Sequence, residues 1–305
     1  MDEFIIEELG AYSFGMLIHP EEGELIQFDY TGEEIRIWYH VEGWAPGIIS
    51  EFGLIFLVDG LPQQVRLETK EGMLFQETSY LQRFALEYRE KIEFYVVFMP
   101  ISGEQGKTSG IMATHILRPD FMPESKDKPS FEGFHSPEGS FPMQLNIYNE
   151  IENMRDGYLA SNMQPISQEI LDFHREWLYE GETIEEFLAE FPRLALFPYR
   201  QELQMDYQDE IVVNDGIFKV SLFVYGGQEV RSRITFFVNH EPVFVNGYNF
   251  IEIEMKSGQM LLIDVELTVE DLEQYNSLYA IMMTTGEDYL MQGMYGTQTL
   301  LLINN

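Results

Sequence analysis

Phe56-Leu57-Val58-Asp59-Gly60-Leu61-Pro62 and Phe236-Phe237-Val238-Asn239-His240-Glu241-Pro242 follow one design. An apolar strand ends on Asp or Asn, and proline stands three positions later. Asx side chains stabilise turns and proline cannot continue an interior strand, so each stretch reads as a strand entering a tight corner. Upstream, Ile35-Arg36-Ile37-Trp38-Tyr39-His40-Val41-Glu42 alternates, with Ile35, Ile37, Tyr39 and Val41 toward one face and Arg36, Trp38, His40 and Glu42 toward the other. The same pattern returns at Phe218-Lys219-Val220-Ser221-Leu222-Phe223-Val224-Tyr225.

Downstream, Arg83 to Tyr88 pairs with Leu262 to Leu267, Phe94 to Met99 with Leu278 to Met283, and Gly110 to Leu117 with Gly296 to Ile303. Five matches in one order, at offsets of 179 to 186, indicate a duplicated module. The expected organisation is an N-terminal segment (1–23), a first module (24–119), a Pro-rich and helical connector (120–205) and a second module (206–305). Seven or eight short strands per module, separated by turn signals, predict a mainly β fold. The picture is a tandem pair of β-sandwich domains joined by a partly helical connector.

The run Leu267-Thr268-Val269-Glu270-Asp271-Leu272-Glu273-Gln274-Tyr275-Asn276-Ser277-Leu278-Tyr279 resembles the strand, acidic corner and tyrosine-bearing strand of Ig-like domains. The resemblance implies Ig-like β-sandwich modules. It also implies a bacterial exported or cell-surface chain, where such modules are common. The cysteine pair that brackets a buried tryptophan in many Ig domains is absent, because the chain has no cysteine.

In the connector, Pro119, Pro123, Pro129, Pro137 and Pro142 mark an irregular crossing. Ser167 to Leu178 then reads as a helix with Ile170, Phe173 and Trp177 in its apolar stripe. A second helix is capped by Thr183, turns Ile184, Phe187, Leu188 and Phe191 inward, and stops at Pro192. Striped helices need an apolar bed. Phe94 to Met99 and Leu278 to Met283 are apolar on both faces, so their outer faces are expected to be covered. The connector is expected to pack on at least one module and to hold the pair at a fixed angle.

Composition narrows the chemistry. Fifty-two acidic against 18 basic residues give a formal charge of -34, which repels nucleic acid and anionic lipid. The absence of cysteine excludes disulfides and thiolate metal sites. No apolar run suits a membrane helix, and Met1-Asp2-Glu3-Phe4 lacks a basic signal-peptide start. That start fits a cytoplasmic chain or one whose signal or anchor lies outside this sequence; the Ig-like resemblance implies the extracellular or cell-surface reading, with a cytoplasmic location as the alternative.

Gly103-Glu104-Gln105-Gly106-Lys107-Thr108 has Ile101 where a phosphate-binding loop needs glycine, and a strand follows it, so it reads as a hairpin loop. The six histidines (19, 40, 115, 135, 174 and 240) show no zinc-ligand spacing. Asp59-Gly60 and Asp215-Gly216 are turn signals, not a calcium loop, so no cofactor is expected, with calcium as the alternative. Gly10-Ala11-Tyr12-Ser13-Phe14-Gly15 has the wrong spacing for a nucleophile elbow.

The candidate ligand-binding residues are Trp38 and His40, on the face opposite the core, and Trp44 in the following loop. The second copy has Ser221 and Phe223 at the strand positions and no tryptophan in the loop. Exposed aromatics there could stack on sugar rings or anchor a peptide. The plainer reading buries them beneath the connector as an interdomain core. The expected function is non-enzymatic binding, adhesion or scaffolding on an exported or cell-surface chain, with a protein or carbohydrate partner. The alternatives are a carbohydrate-binding accessory module of an enzyme and an acidic cytoplasmic protein that binds a basic partner.

Overall fold

A computed structural model describes residues 12–16, 26–44, 46–47, 49–123, 131, 135, 137–139, 143–152, 156–175, 183–190, 192–199, 210–214, 216–227, 229–286 and 293–304. The protein is mainly β and divides into two compact units, one built mainly from residues up to 154 and one mainly from 155 onward. The first unit holds β1 (Tyr12–Met16), β2 (Gln27–Tyr30), β3 (Ile35–Gly43), β4 (Ser50–Val58), β5 (Leu61–Gln63) and β6 (Val65–Glu68). It continues with β7 (Leu74–Ser79), β8 (Gln82–Leu86), β9 (Lys91–Phe98), β10 (Thr108–Leu117), β11 (Glu138–Gly139) and β12 (Met143–Ile147). The second holds β13 (Gly157–Ala160), β14 (Met163–Pro165), α1 (Gln168–Arg175), α2 (Ile184–Glu190), β15 (Pro192–Pro198), β16 (Glu210–Val213) and β17 (Ile217–Gly226). It ends with β18 (Val230–Val238), β19 (Glu241–Val245), β20 (Phe250–Met255), β21 (Gln259–Thr268), β22 (Tyr275–Thr284), β23 (Met294–Gly296) and β24 (Leu300–Asn304).

In the first unit one sheet runs β1-β3-β9-β6-β7 and the other β2-β12-β10-β4-β5, with β8 on β4 and β11 on β10. Both sheets feed one core. Ile35, Ile37, Tyr39 and Val41 meet Phe52, Leu54, Phe56 and Val58, joined by Phe94, Val96 and Phe98. The alternation read from the sequence thus sends the expected residues inward. Burying each large side chain contributes about 1.5–3 kcal/mol, so this interior is what decides the register.

The second unit repeats the diagram. β15, β17 and β21 pair in that order, β18, β22, β24 and β16 do likewise, and β19 joins the two sets by pairing with both β18 and β21. Strand for strand, β1 corresponds to β15, β2 to β16, β3 to β17, β4 to β18, β8 to β20, β9 to β21, β10 to β22, β11 to β23 and β12 to β24. β5 and β6 together correspond to β19. Even the parallel pairs agree: Leu145 lies opposite Phe28 as Leu302 lies opposite Ile211.

Two of the sequence matches hold under this pairing and three slip by one strand. Residues 35–42 answer to 218–225, and 56–62 to 236–242, as expected. However, Phe94–Phe98 in β9 answers to β21, not to Leu278–Met283, because β9 pairs with β3 as β21 pairs with β17. Likewise β8 answers to β20 and β10 to β22. The last strand of the first unit is then β12, inside the segment read as connector, because it pairs with β10 and β2.

The corner that opened the sequence reading is the most faithful part of the repeat. Asp59 and Gly60 have φ of 47° and 78°, and Asn239 and His240 have 49° and 68°, the left-handed pair that a two-residue hairpin requires. Asp59 Oδ1 accepts from the Gly110 N–H at 2.8 Å, and Asn239 Oδ1 accepts from the Ser277 N–H at 3.0 Å. Each side chain clamps its hairpin to the neighbouring strand at the same point. Pro62 and Pro242 then sit opposite Leu57 and Phe237.

Helices occur where the sequence placed them, over Gln168–Arg175 and Ile184–Glu190. Thr183 and Glu186 form a capping box: Thr183 Oγ1 accepts from the Glu186 N–H at 3.2 Å, and Glu186 Oε2 accepts from the Thr183 N–H at 3.0 Å. Ile170, Ile184 and Leu188 pack on Phe223, Tyr225 and Met260, so one end of the outer face of β17 and β21 is roofed by the chain's own helices. The expected roles of Phe173, Trp177 and Phe191 fall on side chains outside those described.

Candidate functional site

The corresponding face of the first unit, on β3, β9 and β6, has a different surface. Register places Trp38 opposite Tyr95, Tyr95 opposite Glu68, and Glu68 opposite Leu74, making one row across four strands. The next row is Arg36, Val97 and Arg66. Trp38 and Tyr95 meet at 4.5 Å between ring centroids, tilted by 57°, and the Arg36 guanidinium lies 4.8 Å from the centre of the Tyr95 ring. Val97 is apolar on an outer face yet buried, lying between the stems of two arginines.

The charges are knitted together. Arg66 donates to both carboxylate oxygens of Glu34 at 2.6 and 2.7 Å and through Nε to Glu68 at 2.8 Å. Arg36 reaches the other Glu68 oxygen at 2.7 Å. Burial pushes the Glu68 carboxyl up, but hydrogen bonds from Arg36 and Arg66 outweigh it and hold the group below its usual range. Glu34 is lowered chiefly by its hydrogen bond from Arg66, and Arg66 is raised, first by the same bond. Two arginines and two glutamates make the patch neutral in a strongly acidic chain.

Of the three residues singled out from sequence, Trp38 and His40 share this face, both half-buried. His40 lies opposite Glu93, whose carboxyl is held low first by a hydrogen bond from Lys91 at 2.9 Å. Trp44 does not join them. It stands just beyond β3, six residues from Trp38 or roughly 20 Å along a strand, and is 46% exposed. Sequence reading missed Tyr95, Glu68 and Leu74, which reach the row only through strand pairing, and Arg66 in the row beside it. Tyr95 carried a signal, as a lone polar-capped aromatic in the apolar run of β9.

The remaining histidines described in side-chain detail serve the interior. His115 Nε2 lies 3.0 Å from the Tyr39 hydroxyl, His135 Nε2 lies 2.9 Å from the Arg118 carbonyl, and His240 Nδ1 lies 3.1 Å from the Tyr279 hydroxyl. Among the described residues no group of three or more His, Asp or Glu side chains is placed to hold a metal. No described helix is long and apolar enough to cross a membrane.

No family model matches the chain, and no curated protein matches it. Among solved structures it is similar to the CsuC-CsuE chaperone and tip adhesion subunit complex of Acinetobacter baumannii, at 6% identity over 94% of this chain and 98% of that one, TM-score 0.21. It is similar to the C-terminal domain of the AgI/II polypeptide BspA of Streptococcus agalactiae, at 7% identity over 96% and 100%, TM-score 0.23. A protein of unknown function from Porphyromonas gingivalis W83 gives 12% identity over 96% and 99%, TM-score 0.23. At such TM-scores whole-chain superposition is poor, and the residues themselves carry the functional reading.

Proposed function

We propose that the chain is a non-enzymatic binding protein built from two Ig-like sandwiches, acting on an exported or cell-surface bacterial chain, with its ligand face on the first unit. The strand diagram supports the Ig-like part. β1-β3-β9-β6 has the order of an Ig ABED sheet, and β12-β10-β4 that of the facing GFC sheet. The observation that carries the binding reading is the contrast between equivalent faces. On the second unit the helices α1 and α2 cover Phe223, Tyr225 and Met260, and the positions equivalent to the aromatic pair hold a hydrogen bond from Ser221 to Asp264. On the first, Trp38 and Tyr95 replace Ser221 and Asp264, and Arg36 remains 41% exposed. An aromatic pair flanked by a fixed Arg-Glu lattice is a pre-organised contact surface.

Carbohydrate as the ligand is a second reading, favoured by the neutrality of the lattice beside the rings. A pyranose would lay its C–H face on an aromatic ring and find donors and acceptors alongside.

The test grafts the second copy's residues onto the first. Arrays of glycans and of extended peptides are probed with the full chain and with the Trp38→Ser/Tyr95→Asp variant, with circular dichroism to check the fold. Binding to one class by the native chain, weakened at least tenfold in the variant, is expected. Equal binding by both proteins, or none by either, overturns the proposed face.

A further inference from the structure

Within the repeated part of the two units, the first has one strand that the second lacks, β7. Between the corner strands and the next equivalent strand the second unit uses four residues, 246–249, whereas the first uses thirteen, 69–81, and folds part of them into β7. This insertion adds nothing that the repeated core needs. It extends the sheet by one strand, which pairs with β6 on one edge. Among the described residues nothing pairs with the other edge.

An open edge presents alternate N–H and C=O groups to any extended chain, and folded proteins blunt such edges with lysine, proline or a cover. β7 (Leu74-Phe75-Gln76-Glu77-Thr78-Ser79) contains neither residue, although its ladder with β6 shifts register twice between Val65 and Glu68. It is entered through Met73, Leu74 and Phe75, which are 63%, 52% and 41% exposed. Among the described residues this is the one run of three consecutive exposed large apolar side chains. Leu74 stands in the outer row with Trp38, Tyr95 and Glu68, while the Phe75 ring lies 6.3 Å from that of core Phe94. The two faces of an added strand would therefore both find apolar neighbours. The second unit, by contrast, fills edge positions from its own chain: β13 pairs along β20, and β14 along β21.

The geometry points to strand addition at β7 by an extended segment of a protein partner that alternates apolar with basic residues. Charge selects the basic character. The chain carries -34, β7 contributes an acid and no cation, and a second copy would be repelled by the same field. Main-chain bonds to the edge supply affinity, and the exposed Leu74 and Phe75 supply side-chain preference. This deepens the binding reading of the first unit but uses its edge, so the two can fail separately.

The probe is a synthetic ten-residue peptide alternating valine with lysine or arginine, titrated into the full chain by calorimetry with hydrogen exchange on the complex. Expected are binding that weakens with added salt, slowed exchange confined to the amides of β7 and a loss of at least tenfold in Leu74→Ser. A peptide N-methylated at alternate amides should lose binding to a similar degree, because methylation removes the donors a strand must offer. Trp38→Ser/Tyr95→Asp should keep peptide binding, which separates this site from the face proposed above. Equal binding of the methylated peptide, protection elsewhere, or a concentration-dependent dimer that protects β7 without peptide would each overturn the proposal.

Discussion

The two units share a backbone diagram yet place their polar groups differently. In the first, the core contains Tyr39 hydrogen-bonded to His115, where the second has Leu222 and Met282. In the second, the corner residue is His240, bonded to buried Tyr279, where the first has Gly60 and Met112. The helices roof one end of one sheet of the second unit, whereas the equivalent sheet of the first ends in an exposed extra strand. What stays constant is therefore what fixes topology: inward apolar alternation and an Asx clamp at one corner. What varies is confined to positions where the pairing tolerates it.

The largest expected effect falls on the constant part. Phe56 and Phe236 are equivalent and fully buried. Replacing either with alanine should cost about 3–5 kcal/mol, read from urea unfolding. Phe56 also meets Tyr39 at 5.7 Å and Phe98 at 6.3 Å, so its loss should lie toward the upper end. A difference of more than about 3 kcal/mol between the two would break the equivalence of the cores, since the two aromatic pairs add only about 0.5–1.5 kcal/mol each.

Next comes the polar pair. Tyr39→Leu or His115→Met alone strips a buried group of its hydrogen bond, at about 1–3 kcal/mol each. The double variant imports the second unit's own residues and removes both polar groups together, so it should lie well below the sum of the singles. A thermal-unfolding double-mutant cycle measures this. Strict additivity would mean that the pair is not a unit.

How much of this was legible follows from the same contrast. The alternation of Ile35 to Glu42, the Asx-Pro corners and both helices were readable because each is a local signal of period, turn chemistry or capping. The three later strand matches were not, because β8, β9 and β10 all look like plausible sandwich strands and only hydrogen bonding says which is which. The thirteen residues that build β7 shift every later offset, and sequence similarity alone absorbs that shift by sliding one strand. The candidate face was half legible for a related reason. Trp38 and His40 share a strand with the core residues that locate them, whereas Tyr95, Glu68 and Leu74 arrive from strands far along the chain. Trp44 looked adjacent on paper because it is near in sequence, yet a strand puts six residues far apart in space.

The acid response should sharpen the difference between the sheet faces. Glu34 and Glu68 are held below the ordinary carboxyl value of 4.5 in the folded first unit by their arginine partners. A lowered folded value means the stabilisation is fully present above that pH and is lost as pH falls through the folded values. Unfolding of the first unit should therefore grow easier below about pH 4.5, followed by the fluorescence of Trp38 and Trp44. Glu68→Gln should be less stable at neutral pH and show a shallower acid slope. An unchanged slope would deny the lattice its role in holding the face.

The smallest effect is at the corner itself, where two costs oppose each other. His240 adopts φ of 68°, a left-handed conformation that a non-glycine residue pays for at about 1–2 kcal/mol. His240→Gly would relieve that strain and reproduce Gly60. It would also strip the hydrogen bond from the Tyr279 hydroxyl, whose ring stacks on Phe237 at 5.1 Å and whose burial pushes the phenol well above its usual value. Leaving that hydroxyl unsatisfied costs about 1–3 kcal/mol. The expected net change is a loss of about 1 kcal/mol, and His240→Gly/Tyr279→Phe should recover it, because the strain is gone and no polar group is orphaned. If the single variant is instead more stable than the native chain, strain dominates at this corner and the histidine is not held there by Tyr279.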